Sequence, residues 1–127
     1  MIRGILFIAC AAWLTTGCHK SNDSAHAITV QVQIAPQPPK IGAATVSLNL
    51  TDAGAKPVSG ARVTLEGDMA HPGMEPVFGQ AEETQPGRYQ GHLVLTMAGD
   101  WVVLAHIRLA NGEKLEQQVE VSGVQPN

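Results

Sequence analysis

The chain has 127 residues, a formal net charge of −3, 44% hydrophobic residues and only 4% aromatic ones. No run of Lys and Arg is present to neutralise a series of phosphates, which argues against nucleic acid as a ligand. So few aromatic rings argue against a platform for stacking sugars or bases.

At the N-terminus Arg3 supplies a positive charge, Gly4 to Leu14 is an uncharged apolar run, and Thr15-Thr16-Gly17-Cys18 leads small residues into a cysteine. This pattern predicts a lipoprotein signal peptide over residues 1–17, with acylation of Cys18. The apolar run is shorter than the roughly 20 residues of a membrane-spanning helix, so acyl chains on Cys18 would supply the anchor and the lipid bilayer is an expected partner. Leu14 sits one position further upstream than the leucine of a typical lipobox, which leaves ordinary signal cleavage open. Cys10 leaves with the signal, so no disulfide can form within the mature chain, and thiolate metal sites or a cysteine nucleophile are disfavoured. Without Arg3 the exported part carries seven basic against eleven acidic residues, a net charge of −4. The expected location is the periplasmic side of the cell envelope. His19, where an aspartate would retain the protein at the inner membrane, points to the outer one.

Residues 18–27 read as a polar tether, of which Lys20 to Ala27 reaches about 25 to 30 Å fully extended. From there the apolar period is two. Ile28, Val30, Val32 and Ile34 alternate with polar residues, as do Val46, Leu48 and Leu50, with Pro36 to Lys40 between the two runs. Such alternation predicts half-buried strands. Asp52 to Gly60 is turn chemistry, Val63 and Leu65 mark a third strand, and Gly79 to Thr84 reads as a short edge strand. Gly87 opens a strand placing Tyr89, Leu93, Leu95 and Met97 on one face. Ala98-Gly99-Asp100 turns it back into Trp101, Val103, Ala105, Ile107 and Leu109. Asn111-Gly112 is a hairpin signal before Leu115, Val119 and Val121. The expected fold over residues 28–122, ahead of a tail at 123–127, is all-β: an antiparallel immunoglobulin-like sandwich of about seven strands, without the Cys and Trp pattern of antibody domains.

The chemistry concentrates in Met69-Ala70-His71-Pro72-Gly73-Met74, which holds two of the three methionines left after the signal. Pro72 and Gly73 suit the centre of a type II turn, which brings His71 and Met74 together, and Met69 lies two residues before His71. Two thioethers and an imidazole form a soft donor set that favours Cu(I) over hard cations. The same methionines also suit apolar plugs at a sandwich end, and His71 a solvated loop residue. If every strand reverses direction, Met97 and Trp101 come to the same end, with Met97 as a fourth donor or half of a core pair with Trp101. Centring a hairpin on Gly99 sets His92 opposite His106, which offers two ligands of a second metal site or two solvent-facing histidines. His19 and His26 fall on the tether.

Asp52-Ala53-Gly54-Ala55-Lys56-Pro57-Val58-Ser59-Gly60-Ala61, Met69 to Met74, Gly87-Arg88-Tyr89 and Leu95-Thr96-Met97-Ala98-Gly99-Asp100-Trp101, in this order and spacing, resemble the YtkA-like and FixH-like domains of bacterial exported proteins. The resemblance covers about residues 28 to 122. It implies an immunoglobulin-like sandwich at the cell envelope, with copper handling in several members and an envelope copper-handling protein as partner. It maps the family's methionine and histidine loop onto Met69, His71 and Met74, and its strand-end methionine onto Met97. An anchor at Cys18 departs from FixH proper, which has a membrane helix. No enzyme is expected: the chain lacks a Gly-x-Ser-x-Gly elbow, a flanking carboxylate pair and a three-ligand hydrolase site. Two functions are carried forward, a copper-binding protein and a metal-free scaffolding or adhesion module that uses a sheet face or edge strand.

Overall fold

The computed structural model describes residues 27–127. The expected signal peptide, Cys18, His19 and His26 lie outside the described residues. Seven strands follow in chain order: β1 (Thr29–Ala35), β2 (Gly42–Thr51), β3 (Arg62–Met69), β4 (Val77–Gln85), β5 (Arg88–Leu95), β6 (Gly99–Arg108) and β7 (Lys114–Val124). They form one hydrogen-bonded sheet in the order β1-β2-β5-β4-β3-β6-β7, with every ladder antiparallel. The described residues contain no helix.

β4 turns this single sheet into two layers. Its first half, Val77 to Ala81, pairs with β3, and its second half, Ala81 to Gln85, pairs with β5, so Ala81 opposes both Val63 and Gly91. A strand that changes partner midway makes the corner of a sandwich. The layer β1-β2-β5 therefore folds over β3-β6-β7. The segment from Gly79 to Thr84 is thus the middle of a longer corner strand and not an edge. Its polar composition follows from its position, because among its nine residues only Ala81 is buried.

Period-two alternation in the other strands sends one set of side chains inward. Val46, Leu48 and Leu50 of β2 and Tyr89, Leu93 and Leu95 of β5 meet Val63 and Leu65 of β3 and Trp101, Val103, Ala105 and Ile107 of β6, and all are buried. Gly67 shows how tightly the layers close. A Cβ there would lie 2.9 Å from Val77, 3.5 Å from the Trp101 ring and 3.6 Å from Leu93.

The end of the sandwich where β1 begins is locked by hydrogen bonds. Asp52 Oδ1 accepts the backbone N–H groups of Gly54 (2.9 Å) and Lys56 (3.0 Å), which shapes the β2–β3 loop. The Tyr89 hydroxyl donates to the Val58 carbonyl (2.8 Å) and accepts the Ala61 N–H (3.1 Å). Glu83 accepts the N–H groups of Gly87 (3.2 Å) and Gly60 (3.4 Å). The Asp52-to-Ala61 and Gly87-Arg88-Tyr89 segments are therefore two halves of one structural clasp. Tyr89→Phe leaves a carbonyl and an N–H without their partner, so it is expected to lower the unfolding free energy by about 1–3 kcal/mol in urea titrations.

Glu83 makes the clasp acid-sensitive. The Gly87 N–H first, and the Gly60 N–H after it, hold its carboxyl below the ordinary range against a smaller opposing effect of burial. A lowered folded-state pKa gives stabilisation that is complete above the unfolded-chain value near 4.3 and is lost as pH falls through the folded-state value. Glu83→Gln should therefore flatten stability against pH below about pH 5, with the larger loss at neutral pH, as read by thermal melts across that window.

Candidate metal centre

Strand parity decides which loops share an end. β1, β3, β5 and β7 finish where β2, β4 and β6 begin, as the pairs Gly42–Leu95, Met69–Trp101 and Gly99–Val124 show. The β1–β2 connection, the β3–β4 loop over residues 70–76 and the β5–β6 turn over residues 96–98 are therefore neighbours.

Met69 is the last residue of β3, on the inward face with Val63 and Leu65, half-buried against the core. Its methyl lies 3.3 Å from where a Cβ on Gly99 would stand, so the side chain reaches across toward the β5–β6 turn. His71 is exposed in the loop and Met74 is 37% exposed. Gly73, at φ +85°, takes the left-handed position of the expected type II turn. Met97 lies past the end of β5 and is 46% exposed, so it does not share the buried face of Tyr89, Leu93 and Leu95. Trp101 is buried beneath it as the floor of this end, and its Nε1–H donates to the Met97 carbonyl at 2.9 Å.

The donors brought to this end are thus three thioethers and one imidazole, a set chemically suited to a soft monovalent ion. Among the described residues no group of three or more His, Cys, Asp or Glu side chains is arranged to hold a metal ion.

The expected pairing of His92 with His106 does not occur. β5 ladders with β2 and β4, and β6 with β3 and β7, so the turn between β5 and β6 crosses from one layer to the other. β4 and β3 lie between the two histidines in the sheet. His92 instead stands opposite Thr45, and His106 opposite Thr64 and Glu116. His106 Nε2 lies 2.7 Å from Glu66 and Nδ1 3.2 Å from Glu116, which ties β3, β6 and β7 together on the outer face. Beyond Glu66, partial burial and then the Glu66 negative charge raise the Asp68 carboxyl above the ordinary range. One feature escapes the sequence entirely: among the described residues the large apolar side chains left exposed, Met74, Phe78, Val94 and Met97, all stand at or beside the methionine end.

A family model described as YtkA-like matches residues 24–106. Among solved structures the chain is similar to one titled ZirS C-terminal domain, with 10% identity, 94% of this chain and 86% of that chain covered, and a TM-score of 0.48. It is also similar to murine CRIg, with 10% identity, 78% of this chain and 98% of that chain covered, and a TM-score of 0.43. No curated protein matches the chain.

Proposed function

We propose, from the premise that this chain belongs to the YtkA-like family, that it is a cell-envelope lipoprotein which carries Cu(I) as cargo on Met69, His71, Met74 and Met97. It exchanges the ion with an envelope copper-handling protein. The observation that carries this reading is the convergence of the β3 end, the β3–β4 loop and the β5–β6 turn, which gathers every methionine of the described residues at one end of the sandwich. Thioethers bind Cu(I) without giving up a proton, and the partial exposure of Met74 and Met97 leaves them open to ligand exchange. The exposed Phe78 and Val94 beside them supply apolar surface of the kind that transient partners cover.

The test is competition for Cu(I) between the reduced mature chain and a chromophoric chelator. The wild-type chain is expected to withdraw the ion with one-to-one stoichiometry. Met74→Leu and His71→Ala are each expected to weaken binding roughly 10- to 100-fold, at least the loss typical of disturbing a ligand's supporting contacts. His92→Ala should bind as the wild type does. Affinity should fall on acidification, because a protonated imidazole has no lone pair to offer.

A second reading rests on the sheet edges. β1 and β7 are each paired on one side only and flank a cleft of about 460 Å³ lined by Val32, Ile34, Val119 and Val121. An extended segment of a partner protein fits between two such edges by strand addition. Failure of the wild-type chain to withdraw any Cu(I) would leave this metal-free role as the better account.

A further inference from the structure

The outer face of β3, β6 and β7 carries a charge gradient that only the register creates. At the end where the chain enters β1, Arg62, Arg108 and Lys114 stand directly opposite one another on the three strands. The next row is Thr64, His106 and Glu116, then Glu66, Leu104 and Gln118, and at the methionine end Asp68, Val102 and Glu120. Three of the seven basic residues of the exported chain thus share one row, in a protein whose net charge is negative.

Like charges directly across a ladder repel. Arg62, Arg108 and Lys114 are all exposed, and none makes an ion pair among the described residues. The nearest carboxylates on that face, Glu66 and Glu116, are engaged by His106 instead. From the first row to the fourth is six residues along each strand, about 20 Å, well beyond the screening length of about 8 Å at physiological salt. A surface that touches one end therefore does not feel the other.

We infer that the row Arg62, Arg108 and Lys114 docks onto the anionic phospholipid headgroups of the membrane that anchors the chain, so that the methionine end faces away from the bilayer. The inference rests on the lipid-anchor part of the proposed function. β1 begins at the basic end, since Thr29 pairs with Thr51, so a tether of about 35 Å at most delivers that end to the surface first. Each basic side chain near an anionic surface is worth about a factor of five in local affinity, and three together bias the orientation roughly a hundredfold. The acidic rows repel the surface in the reversed orientation, when they would touch it, and they also draw cations toward the methionines.

Two native lysines report the orientation. Lys114 lies in the basic row and Lys40 in the β1–β2 connection at the opposite end, and both are exposed. The mature chain is held on vesicles either by its own acylated N-terminus or, from an unacylated preparation, by coupling the Cys18 thiol to maleimide lipid. Each amine is modified with a membrane-impermeant acylating reagent and quantified by mass spectrometry. On vesicles containing phosphatidylglycerol, the Lys114 rate relative to Lys40 should drop about tenfold or more against pure phosphatidylcholine, and about 0.5 M salt should restore it. The double variant Arg62→Gln, Arg108→Gln, checked for folding by Trp101 emission, should give the phosphatidylcholine ratio on both vesicles. Equal ratios on the two lipids, or a ratio indifferent to the double variant, would overturn the inference. A chain that floats with vesicles only after maleimide coupling counts against the natural anchor, while the coupled arm still decides the docking.

Discussion

Trp101→Ala is expected to cost about 3–5 kcal/mol of unfolding free energy, a large part of the roughly 5–15 kcal/mol that a domain of this size possesses. Trp101 is among the largest fully buried side chains, and its ring packs against Gly67. Leu93 and Val77 also pack around Gly67, so removal of the ring opens a cavity within the core. Thermal melting should fall by more than about 12 °C at 4 °C or more per kcal/mol. Trp101→Phe separates packing from tethering. It keeps an aromatic ring but removes the Nε1–H that holds the Met97 carbonyl, so the β5–β6 turn is released. If Met97 is a copper donor, Trp101→Phe should weaken Cu(I) binding by more than its modest loss of stability explains. An unchanged Cu(I) affinity in this variant would remove Met97 from the donor set.

The second large effect lies at the opposite end. Gly87→Ala places a methyl group on a residue at φ +76°, 2.8 Å from the Pro57 Cβ and 2.9 Å from the Leu50 carbonyl oxygen. The left-handed conformation alone costs a non-glycine residue about 1–2 kcal/mol, and forcing atoms into an occupied site adds about 1–3 kcal/mol. The Leu50 carbonyl cannot retreat freely, because it accepts the Val58 N–H at 3.0 Å within the clasp. A total loss of about 2–5 kcal/mol is expected in urea unfolding. Gly112→Ala is the matched control: φ is +91° but nothing lies within 4 Å of the new methyl, so only the conformational cost should appear. A Gly87→Ala variant no less stable than Gly112→Ala would contradict the clasp. Cu(I) affinity of the folded fraction should be unaffected, since the clasp and the methionines occupy opposite ends.

The clasp and the methionines lie at opposite ends of the sandwich, so the residues that build the first say nothing about the second. In this chain Asp52 shapes the β2–β3 loop, Glu83 joins Gly60 to Gly87, and Tyr89 ties Val58 and Ala61 down, so these residues have a structural reason to be where they are. Met69, His71, Met74 and Met97 have no such structural excuse as a set: Met74 and Met97 spend much of their surface in water, where an apolar plug gains little.

Alternation in Ile28 to Ile34, Val46 to Leu50, Tyr89 to Leu95 and Trp101 to Leu109 was enough to identify four strands and their buried faces, because inward and outward positions are set locally by the pleat. The turn residues supplied the number of reversals, and the parity of seven strands brought the methionine loop beside the Met97 turn. Neighbours across the sheet are another matter. Ala98-Gly99-Asp100 reverses the chain equally well within a layer or between layers, and the strand order, with β4 and β3 between β5 and β6, is what parts His92 from His106. Likewise Arg62, Arg108 and Lys114 are scattered along the chain and form a row only through the β3-β6-β7 register. Residue types, periodicity and the direction of each strand are properties of short segments, and the sequence by itself determined them. Strand order and register depend on how two whole faces fill one core, and only the tertiary structure decided those.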